Sequence, residues 1–140
     1  MGIKGIDHWV MVAGDLQRTL SFYERLGFTI AWEKRPGRVD MATIRIGTAQ
    51  KINVHGPHDP ARPGYLGARR PTIGGADFCL EWDGTVDEIL ALLQKNGIKP
   101  EAGPGPRSCA RGTSTSVYFR DPDDNLVELT VYPSSARGSG

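Results

Sequence analysis

The chain has 140 residues, of which 39% are hydrophobic and 24% charged, and its formal net charge at pH 7 is +1. This composition predicts one ordinary globular domain, and the near-neutral charge gives no electrostatic basis for binding nucleic acid. No apolar run approaches the ~20 residues of a membrane-spanning helix, and the N-terminus lacks the apolar segment of a signal peptide. We therefore expect a cytoplasmic protein that binds neither membranes nor nucleic acid.

The first half of the chain shows the pattern of a strand, a helix and three further strands. Asp15 can cap the helix, because its carboxylate can accept hydrogen bonds from the free amides of the first turn. Apolar residues from Leu16 to Leu26 repeat at helical spacing, and Gly27 can end the helix in a left-handed turn. The predicted strands of this half cover residues 5–12, 28–33, 41–46 and 50–55.

Residues 56–75 contain four prolines and five glycines and follow the last of these strands. This composition does not favour regular structure, so residues 57–74 are interpreted as a linker. A strand is predicted over residues 77–82. Thr85 can cap a second helix, and Glu88 stands three residues later, as in a capping box.

The rest of the chain shows a second segment rich in glycine and proline, followed by an alternating pattern. Residues 103–113 are predicted to form a loop. Residues 115–120 and 125–132 predict a hairpin through Asp121-Pro122-Asp123-Asp124. Residues 134–140 predict a disordered tail.

Four side chains of the second half admit ordinary structural roles. Arg107 and Arg111 are either solvated loop residues or an anion clamp. Cys79 falls in a predicted strand and is interpreted as a small core residue, whereas Cys109 is interpreted as a loop thiol. A disulfide between the two is not expected in the cytosol.

The two halves follow one plan, which is a βαβββ unit. This pattern predicts an α+β fold in a single domain over residues 3–133. Module one covers residues 3–56 and module two covers residues 75–133. One module alone has too small a core, so the two modules are expected to pack together.

The repeat places candidate metal ligands at matching positions. His8 and Asp77 are equivalent, and aligning Gln50-Lys51-Ile52-Asn53-Val54 with Asn125-Leu126-Val127-Glu128-Leu129 places Asn53 at the position of Glu128. His55 shares a face with Asn53 but lies one pleat further, roughly 6–7 Å away. His55 therefore either completes a metal site with His8, Asp77 and Glu128 or stands outside it as a base.

These nitrogen and oxygen donors suit Fe(II), Mn(II), Ni(II), Co(II) or Zn(II), and without a thiolate a site for a soft metal is not expected. Open coordination positions can polarise a carbonyl, stabilise an enediolate or bind oxygen beside a catecholate. A purely structural role is the alternative for each residue. His8 can simply pack beside Trp9, and Asp77 can pair with Arg69 or Arg70.

Three segments of the chain carry the signature of a known family. They are Ile6-Asp7-His8, Ser21-Phe22-Tyr23-Glu24-Arg25-Leu26-Gly27-Phe28, and the segment Val117 to Glu128 with its Asp121-Pro122-Asp123-Asp124-Asn125 turn. Together they resemble the vicinal oxygen chelate superfamily, which includes glyoxalase I, extradiol dioxygenases, methylmalonyl-CoA epimerase, and fosfomycin and bleomycin resistance proteins. The subgroup that the chain resembles most is the glyoxalase-domain-containing 5 and "virulence protein" type.

This resemblance implies a fold of paired βαβββ modules that form cupped half-barrels, often in a homodimer. It also implies metal ligands on the first and last strand of each module, at His8, in the Asn53/His55 region, and at Asp77 and Glu128. Two positions depart from the family pattern. Asp77 stands where a histidine is usual, and Asn53 stands where glyoxalase I has a glutamate.

The resemblance implies a metal-dependent enzyme that acts on a small, vicinally oxygenated substrate. We expect glyoxalase-I-like lyase or isomerase chemistry through a metal-stabilised enolate. The expected catalytic residues are His55, Asp77 and Glu128. The expected substrate-binding residues are Asn53, Arg107, Arg111 and Tyr118.

Two alternatives to this chemistry stay open at this point. The first is a ring-cleaving dioxygenase of the extradiol type. The second is a metal-free resistance protein that binds an antibiotic or a metabolite. Aromatic residues could stack on a planar ligand in such a protein; these are Trp9, Trp32, Tyr65 and Trp82.

Overall fold

The computed structural model describes residues 1–134, which form two compact units, Met1–Ala76 and a second unit that begins at Asp77. The elements of the first unit are β1 (His8–Val12), α1 (Leu16–Arg25), β2 (Thr29–Glu33), β3 (Met41–Ile46), β4 (Gln50–His55) and a 3-10 helix (Asp59–Ala61). The elements of the second unit are β5 (Asp77–Glu81), α2 (Val86–Lys95), β6 (Ala102–Cys109), β7 (Gly112–Arg120) and β8 (Leu126–Val131).

Each unit contains one mixed four-stranded sheet, and both sheets have the same topology. The strand order is β1-β4-β3-β2 in the first unit and β5-β8-β7-β6 in the second. In each sheet the first and last strands of the unit pair in parallel, and the other pairs are antiparallel. The prediction of an α+β fold built from two βαβββ modules is confirmed.

Both helices begin at the residues that the sequence indicated. The amide of Arg18 donates to Asp15 Oδ1 at 3.1 Å, and the amide of Glu88 donates to Thr85 Oγ1 at 3.2 Å. Each bond satisfies one of the amides that the first turn of a helix leaves without a partner. Neither helix among the described residues is long and apolar enough to cross a membrane.

The two central strands, β4 and β8, alternate between apolar and polar side chains. Ile52 and Val54 of β4 are buried, and Val127 and Leu129 of β8 are buried at the matching positions. Because neighbouring residues of a strand point to opposite faces, the residues between them share the other face of each sheet. In the second unit, α2 lies against β7 and β8 and buries Ile89 there.

The prediction of a loop over residues 103–113 is wrong, because this segment forms most of β6 and the start of β7. β6 lies at the edge of its sheet, where prolines are tolerated because one side of the strand needs no ladder bonds. Gly103 has a φ of 86°, and a Cβ there would come within 2.4 Å of the Ser116 carbonyl oxygen. Only glycine fits here, because any side chain would collide with this carbonyl oxygen. The pairing of β6 with β7 shifts in register between Ala102 and Gly105, as in a β-bulge.

Other boundaries differ less from the sequence-based prediction. β1 begins at His8, three residues later than expected. The segment predicted as a linker, residues 57–74, contains the short 3-10 helix. The predicted tail falls mostly on residues 135–140, which lie outside the described part of the chain.

The turn between β7 and β8 holds the two strands in register. Asp121 Oδ1 accepts hydrogen bonds from the amides of Asp123 at 2.9 Å and Asn125 at 3.0 Å. Asp121 Oδ2 accepts from Asn125 Nδ2 at 2.9 Å, and both side chains are buried. Asp124 has a φ of 67° and thereby closes the turn.

Replacing Asp121 with alanine removes three hydrogen bonds from this turn. At about 1 kcal/mol for each bond, we expect Asp121→Ala to lower the free energy of unfolding by about 3 kcal/mol. Chemical denaturation with a circular dichroism readout measures this change. The matched control is Asp124→Gly, which places glycine at the positive φ and should not destabilise the fold. Equal stability of Asp121→Ala and the wild type would contradict this account.

Candidate functional site

The parallel strand pairs show directly which positions of the two units are equivalent. In the first unit His8 pairs with Lys51, and Val10 pairs with Asn53. In the second unit Asp77 pairs with Leu126, and Cys79 pairs with Glu128. His8 therefore corresponds to Asp77, Asn53 to Glu128, and Val10 to Cys79.

The His8 imidazole is held by its neighbour in the chain. His8 Nδ1 and Asp7 Oδ1 are 2.7 Å apart, and this hydrogen bond lowers the pKa of the Asp7 carboxyl. In the neutral imidazole, Nδ1 donates to the carboxylate, which can only accept, and Nε2 keeps its lone pair. A carboxylate that fixes a histidine in this way is common in metal sites, where the other nitrogen binds the ion.

Asn53 carries a buried side-chain oxygen for which the described residues provide no hydrogen-bond partner. Its neighbour across the sheet, Thr43, donates its hydroxyl to the Ala31 carbonyl oxygen at 3.0 Å. An unpaired buried carbonyl is destabilising, and a cation or a donor on a ligand would remove that cost. Asn53 Oδ1 is therefore suited to contact a bound group.

His55 lies further along the same face. It pairs with Val12, four residues beyond the pair of His8 and Lys51, so about 13 Å of strand separates the two histidines. His55 Nδ1 lies 3.0 Å from the Tyr65 hydroxyl, and burial lowers the pKa of His55. His55 is thus largely neutral at pH 7 and able to accept a proton.

Glu128 belongs to a cluster of polar side chains on the second sheet. The Ser116 hydroxyl donates to Glu128 Oε2 at 2.6 Å, and Cys109 Sγ lies 4.0 Å from the same oxygen. Cys79 stands opposite Glu128 on β5. One ligand atom from each of Cys79, Cys109 and Glu128 lies within 4.8 Å of the others. Within residues 1–134, these three residues are the group that could hold a metal ion.

The two cysteines differ from their predicted environments. Cys79 is exposed on the polar face of β5 rather than buried in the core, and Cys109 ends a strand rather than lying in a loop. Partial desolvation, the Glu128 carboxylate and the Cys109 thiol raise the pKa of Cys79 to about 12. The Cys79 thiol therefore keeps its proton at neutral pH when no cation is bound. Asp77 lies on the same face, two residues away, and is exposed.

The predicted substrate-binding residues of the second unit form two separate pairs. Arg107 Nε donates to the Tyr118 hydroxyl at 3.0 Å, and its guanidinium carbon lies 5.1 Å from the centre of the Tyr118 ring. Arg111 donates both terminal nitrogens to the Glu81 carboxylate, each at 3.0 Å, and lies over Tyr132. An anion would have to displace Glu81 to reach Arg111.

The family model for the glyoxalase/bleomycin resistance protein/dioxygenase superfamily matches residues 5–129. The chain belongs to this superfamily. Virulence protein STM3117 of Salmonella typhimurium is 36% identical over 133 residues, which cover 94% of this chain and 87% of that protein.

Solved structures support the same assignment. The integron cassette protein VCH_CASS1 of V. cholerae is 31% identical, with a TM-score of 0.84 over 95% of this chain and 98% of that one. Lactoylglutathione lyase from Agrobacterium tumefaciens is 25% identical, with a TM-score of 0.68 over 94% of this chain and 96% of that one. The fold is therefore the vicinal oxygen chelate fold.

Removing the Tyr65 ring should expose His55. We expect Tyr65→Ala to raise the pKa of His55 towards its ordinary value near 6.5, because burial is the main cause that lowers it. In the wild type the unfolded chain binds this proton more readily than the folded chain. The contribution of His55 to stability is therefore fully present above the unfolded pKa near 6.5 and is lost as the pH falls from there to the lower pKa of the folded chain.

A titration of the imidazole resonances by NMR measures this pKa in both proteins. Tyr65→Phe is the matched control, because it keeps the ring that lies against His55 and removes only the hydroxyl, so the pKa of His55 should stay lowered. An unchanged or lower pKa in Tyr65→Ala would contradict the assignment of the shift to burial beneath Tyr65.

Proposed function

We propose that the chain is a metal-dependent enzyme of the lyase or isomerase type that acts on a small molecule with adjacent oxygen atoms. The observation that carries the proposal is the donor set at the equivalent strand positions of the two units. The similarity to a lactoylglutathione lyase supports the reaction type, because that enzyme shares a quarter of its residues with this chain.

The proposed metal ligands are His8, Asp77 and Glu128, with the Asn53 side-chain oxygen as a contact for the metal or for the substrate. Two features of the first unit fit a cation. Asp7 orients His8 and leaves Nε2 available, and Asn53 Oδ1 is buried without a partner among residues 1–134.

The donor set combines imidazole nitrogen with carboxylate and amide oxygens, which suits Fe(II), Mn(II), Co(II), Ni(II) or Zn(II). When bound, such an ion would act as a Lewis acid that polarises the oxygens of the substrate and makes a neighbouring C–H bond more acidic. Asp77 stands where a histidine is usual, so the set has one more carboxylate oxygen and one fewer imidazole nitrogen. This change favours harder ions such as Mn(II) and Fe(II) over Zn(II).

His55 and Asp77 are proposed to carry out the proton transfers. His55 is suited to accept a proton because its lowered pKa keeps it neutral at pH 7. The exposed Asp77 carboxylate is the second candidate base. Ser116 holds the Glu128 carboxylate by a hydrogen bond and so fixes its orientation.

Arg107 and Tyr118 are proposed to bind the substrate. The hydrogen bond between them positions the guanidinium beside the polar face of β7, where it can contact an anionic or oxygen-rich group. Arg111 has a structural role in this proposal, because it is bound to Glu81 and packs on Tyr132.

The hemithioacetal of glutathione and methylglyoxal is the first substrate to test. We expect turnover only after reconstitution with a divalent metal, each of the five ions being tried separately. His55→Gln should lower kcat by roughly 10²–10⁴-fold, as the loss of a general base does. The matched control is His58→Gln, which changes an exposed histidine and should leave kcat unchanged.

Two results would contradict the proposal. Turnover that persists in protein stripped of metal would remove the metal from the mechanism. Metal-independent binding of small aromatic molecules, without turnover of this hemithioacetal or of related α-hydroxy carbonyl compounds by any metal form, would instead assign the chain to the metal-free binding proteins.

A further inference from the structure

The polar face of the second sheet brings two thiols and a carboxylate together, although they come from three different strands. Cys79 belongs to β5, Glu128 to β8 and Cys109 to β6. One ligand atom from each lies within 4.8 Å of the other two. The proposed function uses Glu128 but neither thiol.

We propose that Cys79, Cys109 and Glu128 form a second metal site, which binds a thiophilic divalent cation such as Zn²⁺. The site lies wholly within the second unit. It is distinct from the proposed centre that requires His8, although the two have Glu128 in common.

The spacing of the three ligand atoms fits a tetrahedral ion. With Zn–S bonds of about 2.3 Å and a Zn–O bond of about 2.1 Å, the sulfur and oxygen ligands of a tetrahedral site lie roughly 3.6–3.8 Å apart. The three ligand atoms lie within 4.8 Å of one another, so the largest separation that this allows would have to shorten by about 1 Å. Three protein ligands leave a fourth position open, which is the arrangement of a site that can exchange a water or a small ligand.

The two cysteines lie on opposite edge strands of the sheet. β5 and β6 are the two edges of the sheet, and β8 and β7 lie between them. Cys79 and Cys109 are both free thiols in the structure.

Neighbouring hydroxyl groups hold two of the ligands in place. The Ser114 hydroxyl donates to Cys109 Sγ at 2.9 Å, and the Ser116 hydroxyl donates to Glu128 Oε2 at 2.6 Å. Thr130 connects the two serines, since its hydroxyl is hydrogen-bonded to both. Such outer contacts orient metal ligands and strengthen binding.

Binding of the dication releases two protons. Each thiol gives up its proton to the solvent, and the two thiolates and the carboxylate then bind the dication with a net charge of −1. No oxidant or reductant is needed. Thiolates select softer ions than the imidazole and carboxylates of the proposed catalytic centre, so the two sites should differ in their preferred metals.

Cobalt provides a test that does not depend on activity. The reduced, metal-free full-length protein is titrated with Co²⁺, and the thiolate-to-cobalt charge-transfer band in the near ultraviolet is recorded. Zn²⁺ is then added to displace the cobalt, which gives the relative affinity. We expect one Co²⁺ per chain to produce the band and Zn²⁺ to remove it.

The variants separate this site from the proposed catalytic centre. Cys79→Ser and Cys109→Ser should each lower the band by about half and weaken Zn²⁺ binding by at least about 100-fold, more than the loss of an outer contact. Ser114→Ala keeps all three ligands and should weaken binding by roughly 10–100-fold. His8→Ala should leave the band and the Zn²⁺ affinity unchanged.

Several outcomes would overturn the site. The absence of a charge-transfer band in a folded, reduced wild-type protein would do so, as would a Zn²⁺ affinity that survives the Cys79→Ser/Cys109→Ser double variant. Loss of the band in His8→Ala would place the cobalt in one shared centre. If the tests of the proposed catalytic centre fail, the charge-transfer band should still form, so the two proposals can be rejected separately.

Discussion

Every functional inference depends on the alternation of side chains along the two central strands, β4 and β8. Ile52 and Val54 are buried on one side of β4, and Val127 and Leu129 are buried on one side of β8. Burying one such side chain stabilises the fold by about 1.5–3 kcal/mol. A slip of one residue would reverse both faces of the strand and expose these residues. The core therefore fixes the register, and the register fixes which face Asn53 and Glu128 occupy.

The duplicated architecture lets equivalent positions acquire different chemistry. The position of Asn53 in the first unit carries Glu128 in the second, and the position of Val10 carries Cys79. One unit thus presents a neutral amide oxygen beside an aliphatic side chain. The other presents a carboxylate beside a thiol, and this difference underlies the proposal of two kinds of metal site in one short chain.

Much of this architecture follows from the sequence. Helix caps at Asp15 and Thr85 determine where the helices begin, and both act locally, so they can be identified from a few residues. The repeat and the family motifs predict the α+β fold. The equivalence of His8 and Asp77 also emerges from aligning the two halves, and the strand register agrees with it.

The parts that could not be predicted depend on contacts between distant strands. Residues 103–113 contain prolines and glycines that indicate a loop, and only their place at the sheet edge makes them a strand. Because Cys109 was taken as part of that loop, its approach to Glu128 was not foreseen. The thiol cluster required knowledge of which strands are neighbours. The homodimer, the cytoplasmic location and the role of each site residue stay predictions.

The proposal to test first is that the chain binds a divalent transition-metal ion and that His8 and Glu128 are both needed for this binding. A titration of metal-free protein with Mn²⁺, followed by the electron paramagnetic resonance signal of the free ion, tests it most directly, because Mn²⁺ prefers nitrogen and oxygen donors over thiolates. The account predicts one bound Mn²⁺ per chain, lost in His8→Ala and in Glu128→Gln but retained in the Cys79→Ser/Cys109→Ser double variant. Absence of binding, or binding that survives His8→Ala, would contradict the account.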